Sequence, residues 1–512
     1  MELNKESRTV NASKNAFSAV SNKVIILLLT FFSRKFFIQY IGIEYLGING
    51  LFSNVLTLLS MADMGIGTAM NVSLYKPIAE GNTKKITALL NFFKRIYVCI
   101  GIGVTVIGVS LLPFLKYLVN MDTEISHLYI YYLVFVAKNA VSYLFIYKSS
   151  LIRADQKTYL INKKEIIINL LKVIIQMITI IVFKNYFIYI ILEVLAVLSL
   201  NILVSNEANK RYTFINDNFQ LEKNEKKEIF NDIFSVFLYK IAWSLLNGTD
   251  NIIMSVIAGT VAVGLYSNYF TLTNNIETFI ALVFTSLTAS VGNLVATSSA
   301  KNKYKTFKTM QMVSFWLCGI VCVCLFYLIQ DFIELWLGKA LLLDNLTMIA
   351  IVLNVFFSIC MRPVWTFREG TGMYRQIRYI MFVTAVLNLI LSIVLGKWLG
   401  ISGILFATSL SKILTYFWYE PNLLFKNFFD VKPYHYYIEY LKNGILLLII
   451  GALCYIPVHF INGVSVGKWI LKALICLIIV NAVYFLRYFK TEEFSHIKEK
   501  VFYILKRKFK KC

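Results

Sequence analysis

The residues of this sequence that could do chemistry are charges placed where charges are costly. The stretch YLGINGLFSNVLTLLSMADMGIGTAM, residues 45–70, is apolar almost throughout and carries one acid inside it, Asp63. An unpaired carboxylate at the centre of a bilayer costs about 2.5–3.5 kcal/mol on the mildest scale, so Asp63 must face a protein interior or a wet cavity. Seven cations fall inside comparable stretches: Arg34, Lys35, Lys138, Lys172, Lys240, Lys412 and Lys472. Lys23, Arg34, Lys138 and Lys240 make the candidate site for an anionic ligand. Guanidinium matches phosphate as a planar fork, and ammonium supplies a mobile point charge. Lys23 and Arg34 lie near the two ends of one stretch and equally fit snorkelling to headgroups. Lys35 and Lys172 read as helix ends or snorkellers.

Asp63, Arg153, Asp155, Asp250 and Glu277 are the candidate gating or coupling groups. Asp63 fits either a pair with Arg34 or Lys138, or a titrating role. Asp250 and Glu277 fit partners for Lys240 or a wet path. Arg153 and Asp155 fit an ion pair between two halves of the chain or a ligand contact. Asn54, Asn71, Asn247 and Asn268 fit donors to sugar hydroxyls, or to neighbouring helices.

Covalent, metal and nucleotide chemistry have little to stand on. The chain has four histidines and no HExxH, and Cys318, Cys322 and Cys324 sit in an apolar run where packing outweighs ligation. Gly65, Gly67 and the run GIGVTVIG at 101–108 follow no strand, so they serve close helix packing rather than a phosphate loop. No Walker motif is present. The expectation is no catalytic residue, no metal and no cofactor.

The elements that must position the charges are membrane spans. Of 512 residues 58% are hydrophobic and 15% charged, a composition that a soluble domain could not cover with polar surface. Apolar runs near the roughly 20 residues that cross a bilayer recur between charge clusters. They give fourteen spans: 18–40, 46–75, 94–116, 126–147, 165–183, 186–204, 229–257, 262–297, 308–329, 343–361, 379–396, 399–420, 442–460 and 468–488. Alternate connections hold 39 Lys and Arg against five in the other seven, which puts both termini on the cytoplasmic side. That asymmetry accounts for the net charge of +23 without nucleic acid. The N-terminal segment has no small-residue cleavage site after a short apolar core and does not read as a signal peptide.

The chain also matches itself at an offset of 217 residues. IGIEYLG at 41–47 falls on AGTVAVG at 258–264, and FSAVSNK at 17–23 on FSVFLYK at 234–240; RADQKTY at 153–159 resembles REGTGMY at 368–374 at an offset of 215. The offset equals six spans, so the halves share one orientation in the membrane, the parallel-repeat design that supports alternating access. The expected fold is an all-α polytopic membrane protein. Its parts are an N-terminal lobe (1–204), a cytoplasmic linker (205–228), a C-terminal lobe (229–420), two added helices (421–489) and a basic tail (490–512).

IGIEYLGINGLFSNVLTLLSMADMGIGTAMNVSLYKPIAEGN at 41–82, LIRADQKTYL at 151–160 and GLYSNYF at 264–270 resemble the multidrug, oligosaccharidyl-lipid and polysaccharide exporter superfamily. Within it the sequence is most similar to bacterial polysaccharide-biosynthesis flippases. The resemblance implies a non-enzymatic flippase in the bacterial cytoplasmic membrane that moves undecaprenyl-diphosphate-linked oligosaccharide repeat units for capsule or exopolysaccharide. Its implied partners are that glycan, membrane lipid, a polysaccharide polymerase and glycosyltransferases, with no nucleic acid. Common members have twelve helices, whereas fourteen resembles the lipid II flippase branch and some Gram-positive oligosaccharide flippases; by analogy with the lipid II flippases the last two helices imply part of a groove for the polyprenyl tail. Two other readings compete. An ion-coupled multidrug or organic-cation antiporter on the same scaffold would want acids to dominate its cleft. An integral-membrane polysaccharide polymerase would want large outer loops bearing Arg or His.

Overall fold

The computed structural model describes residues 8–60, 66–119, 125–155, 157–217, 219–227, 229, 248–285, 287–495 and 498. Asp63, Lys240 and Asn247 lie outside the described residues, as does most of the span expected over 229–257. The described chain is helical, and it divides into two compact units, residues 1–264 and 265–512.

In the first unit the helices are α1 (Arg8–Tyr40), α2 (Ile43–Leu59), α3 (Ile66–Glu80), α4 (Thr83–Ser110), the single turn α5 (Leu115–Leu118), α6 (Leu128–Ser142), α7 (Ile146–Ala154), α8 (Thr158–Phe183), α9 (Tyr186–Arg211) and α10 (Asp250–Ala258). Side chains set their ends. Asn82 accepts from the Lys85 amide at 3.0 Å to start α4, and Asn185 from the Ile188 amide at 3.3 Å to start α9; each satisfies a donor the first turn leaves free. Lys184 takes the left-handed conformation, φ 50°, which turns α8 into α9 within two residues. Within the span expected over 46–75 the described helices are α2 and α3, on either side of residues 61–65. α6 and α7 bend by 45° at their junction.

α11 (Thr260–Thr285) leaves the first unit at residue 264. Within that unit the sequence repeat reappears as geometry. Gly42 and Gly259 both precede a helix with positive φ, 111° and 87°, a conformation that is cheap only without a Cβ. A methyl on Gly47 would strike the Thr260 carbonyl, and one on Gly264 would lie 2.7 Å from the Ile43 carbonyl. Residues 43 and 260, like 47 and 264, are 217 apart, so the crossing maps onto itself under the repeat offset, as a two-fold contact does. Gly264→Leu is therefore expected to destabilise the protein by at least about 1–3 kcal/mol, the range for overpacking, because backbone cannot move aside as a side chain can. A melting curve in detergent that matches the unsubstituted protein would refute this.

The second unit continues with α12 (Thr288–Thr297), α13 (Ala300–Leu337), α14 (Asn345–Cys360), α15 (Arg362–Thr371), α16 (Tyr374–Leu414), α17 (Tyr416–Phe428), α18 (Tyr434–His459) and α19 (Val466–Tyr488). α16 carries a non-helical residue at Gly400, φ 59° and ψ −132°, at the boundary where the sequence separates the spans 379–396 and 399–420. The expected span 262–297 is α11 and α12. α13 is the pillar of this unit and packs against α14, α18 and α19. Gly319 of α13 admits the Tyr484 ring of α19, and Trp316 donates to Asn481 at 2.9 Å. Lys472 of α19 meets Asp331 of α13 at 2.6 Å.

Eight helical stretches among the described residues are long and apolar enough to cross a membrane, and ten if each of the two bent pairs counts as one. α1, which carries Lys23, Arg34 and Lys35, is not one of the eight. The protein is a multi-pass, all-helical membrane protein.

Candidate functional site

Within residues 1–264 an ion cluster forms where α6, α8 and α9 meet. Its centre is Glu193, one acid in the apolar run YFIYIILEVLAVLSLNILV. Glu193 Oε2 accepts from Lys138 Nζ at 2.9 Å, and Oε1 accepts from Lys172 Nζ at 2.8 Å and from Gln176 Nε2 at 3.1 Å. Gln176 also donates to the Tyr189 carbonyl at 3.0 Å, tying α8 to α9 one turn above the acid. Arg34 stands on α1 one turn before Phe37, the residue through which α1 packs against Tyr189. The Tyr189 ring is itself seated on Phe37, with centroids 4.9 Å apart. Among the described residues the cluster holds two lysines to one acid. It is not sealed, since the Lys138, Glu193 and Lys172 side chains keep 33%, 21% and 18% of their exposure.

Two sequence expectations change here. Lys138 is ion-paired, and its partner is an acid the sequence reading passed over. Lys172 is no snorkeller but the second bridge to Glu193. The overlooked signal was the one that singled out Asp63, a lone carboxylate in an apolar run.

The other candidates of this unit sit apart from the cluster. Lys23 is half-buried on α1; beside it Asn22 donates to Glu165 of α8 at 2.9 Å. Asp155 pairs with Lys157 at 2.8 Å and accepts from the Tyr212 hydroxyl at 2.6 Å, while Arg153 is exposed. Asp155 is thus held by local contacts within one unit, to Lys157 and to Tyr212 at the end of α9. Burial, and then the Asp155 charge, push the Tyr212 hydroxyl well above its ordinary pKa. A raised folded pKa means that the bond's contribution is fully present below about pH 10, the unfolded tyrosine value, and fades above it. Tyr212→Phe is expected to cost about 1 kcal/mol at neutral pH, read as a lowered melting temperature; no shift would show the bond to be idle. Asp250 opens α10, where the amide ends of a helix favour a carboxylate. Asn54 and Asn71 are half-buried.

In residues 265–512 Glu277 of α11 accepts from the Ser358 hydroxyl and lies 3.9 Å from Arg362, which donates weakly to Ser358 at 3.5 Å. The Arg362 guanidinium rests 5.1 Å from the Trp365 ring centre. Glu277 is thus served by α14 and α15, and Lys240, one partner that the sequence offered for it, lies outside the described residues. Asn268 of α11 is fully buried. A second pair, Arg368 of α15 with Glu420 of α17 at 3.1 and 3.3 Å, is almost wholly buried, at 8% and 2% side-chain exposure.

The fold is shared with solved transporters. A lipid II flippase MurJ in an inward closed conformation superposes with a TM-score of 0.67 over 93% of this chain and 98% of its own, at 15% identity. An inward-facing multidrug resistance MATE family transporter of the MOP superfamily gives 0.57, over 79% and 97% of the two chains, at 13% identity. A Vibrio cholerae MATE transporter gives 0.53, over 85% and 97%, at 15% identity. No curated protein sequence matches the chain. At these identities the structures speak to the fold alone. Residues 12–288 match the family described as polysaccharide biosynthesis protein, more than half of the 512 residues. By that match the chain belongs to the polysaccharide biosynthesis protein family.

Proposed function

We propose that the protein is a flippase for undecaprenyl-diphosphate-linked oligosaccharide repeat units, feeding capsule or exopolysaccharide assembly from the bacterial cytoplasmic membrane. Cargo moves by alternating access of two six-helix lobes, 1–204 and 229–420, within fourteen spans and with both termini cytoplasmic. No covalent step is involved. The observation that supports the reading is the shared carboxylate of Glu193: Lys138 and Lys172 both pair with this one acid at a partly exposed site, and Arg34 is proposed as a further cargo contact beside them. A lipid diphosphate brings the negative charge such a site lacks, and desolvated charge-assisted hydrogen bonds to phosphate are strong and directional. Lys23 and Lys240 are proposed as further cargo contacts, and Asp63, Arg153, Asp155, Asp250 and Glu277 as gating or coupling groups. A downstream polymerase and glycosyltransferases are the proposed partners.

The competing reading, an organic-cation antiporter, draws on Glu193 and Glu277 as acids inside apolar helices and on the MATE-like fold. One experiment separates the two. Reconstituted protein is offered a fluorescent undecaprenyl-diphosphate oligosaccharide or a small organic cation, with Arg34→Ala, Lys240→Ala and Asp63→Asn alongside the unsubstituted chain. Glycan translocation that falls in the Arg34 and Lys240 variants supports the flippase. Saturable cation uptake with an immobile glycan would sink it.

A further inference from the structure

Where α13 begins, α18 begins and α19 ends, the second unit encloses a groove of about 770 Å³. Its lining changes character along its length. On α18 one side presents His435, Glu439 and Lys442 and then Ile445 and Ile449, residues three or four apart that share a helix face. From His435 to Ile449 the helix rises about 21 Å. α13 repeats the order, with Lys308 first and Met312 and Phe315 further in. The mouth is framed by Tyr304, Tyr434 and Tyr488, amphipathic rings of the kind that settle at headgroup depth.

The charges at the mouth do not balance. Glu493 pairs with Lys308, while the single carboxylate of Glu439 accepts from both Lys442, at 2.8 Å, and Arg487, at 3.1 Å. Three cations share two acids, which leaves one positive charge over. The Lys442 side chain is 58% exposed, so its ammonium can turn from Glu439 to another anion at little cost. Both the surplus charge and the mobile ammonium lie at the end of an apolar trough. That is the pattern a lipid with one negative charge would fill.

We propose that this groove seats a resident anionic glycerophospholipid, distinct from the transported cargo. Its phosphodiester lies over Lys442 and Arg487, and one acyl chain lies along Ile445, Ile449, Met312 and Phe315. A phosphodiester's single charge equals the surplus. A polyprenyl diphosphate carries more than one and overfills it, and a zwitterionic headgroup adds a cation where cations already crowd. The groove lies wholly within residues 265–512 and shares no residue with the Glu193 cluster, so the proposal stands or falls independently of the flippase reading.

The test is native mass spectrometry of the full chain released from micelles containing equal amounts of phosphatidylglycerol and phosphatidylcholine. Phosphatidylglycerol is expected to remain bound about five-fold or more in preference, the scale of one basic residue acting on an anionic lipid. Lys442→Glu, which reverses the surplus, is expected to weaken that binding by about ten-fold or more. Ile445→Trp is expected to lower retention of the lipid by blocking the trough while leaving the charges alone. Lys116→Glu, an exposed charge on α5 of the other unit, serves as a control and is expected to change nothing, and melting curves check that each variant folds. Equal retention of the two lipids, or undiminished binding in Lys442→Glu, would overturn the proposal. So would displacement of phosphatidylglycerol by equimolar undecaprenyl diphosphate, which would give the groove to the cargo's tail.

Discussion

Lys138→Met is expected to slow translocation of a labelled undecaprenyl-diphosphate oligosaccharide in proteoliposomes to between about a tenth and a hundredth, while Lys138→Arg keeps most of the rate. A hydrogen bond to a charged group is worth about 1.5–3 kcal/mol, and each 1.4 kcal/mol is a factor of ten. The substitution leaves the fold intact because Glu193 keeps Lys172 at 2.8 Å and Gln176 at 3.1 Å. Glu193→Ala behaves differently: it leaves Lys138 and Lys172 facing each other without an acid, so it loses stability before it loses transport. Normal flipping in Lys138→Met, with melting unchanged, would reduce the cluster to a structural clamp among α6, α8 and α9.

The largest stability effect is expected at the buried pair of Arg368 and Glu420. Glu420→Ala should lower unfolding stability by about 3–5 kcal/mol, the usual result of stranding one member of a buried ion pair. Arg368 keeps Glu369 at 3.7 Å, but that carboxylate is on its own helix and 37% exposed, a poor replacement for the Glu420 carboxylate at 2% exposure. The double variant Arg368→Met with Glu420→Leu is expected to recover most of the loss, since apolar side chains of similar volume often replace such pairs at little cost. A thermal melt of the single variant within a degree or two of the unsubstituted protein would show that water reaches Arg368.

Sequence patterning alone established the class of the molecule, because span length and helical hydrogen bonding leave few ways to put apolar runs of this length through a bilayer. It reached further at Gly42, Gly47, Gly259 and Gly264. A glycine that permits a positive φ or a backbone contact has no substitute, so its spacing survives as a readable mark. The breaks were harder to read. No proline or glycine marks the bend of 45° after α6.

Ion pairing was decided by the tertiary structure alone. Lys138, Lys172 and Glu193 come from three helices, and hydropathy along one helix carries no information about which face of another it meets. Glu277 shows the same limit: its partners Ser358 and Arg362 are more than eighty residues away along the chain. Charge type and approximate depth are one-dimensional properties, and the amino-acid sequence determined them by itself. Which charge neutralises which depends on the rotation and crossing of whole helices, and only the folded chain chooses those.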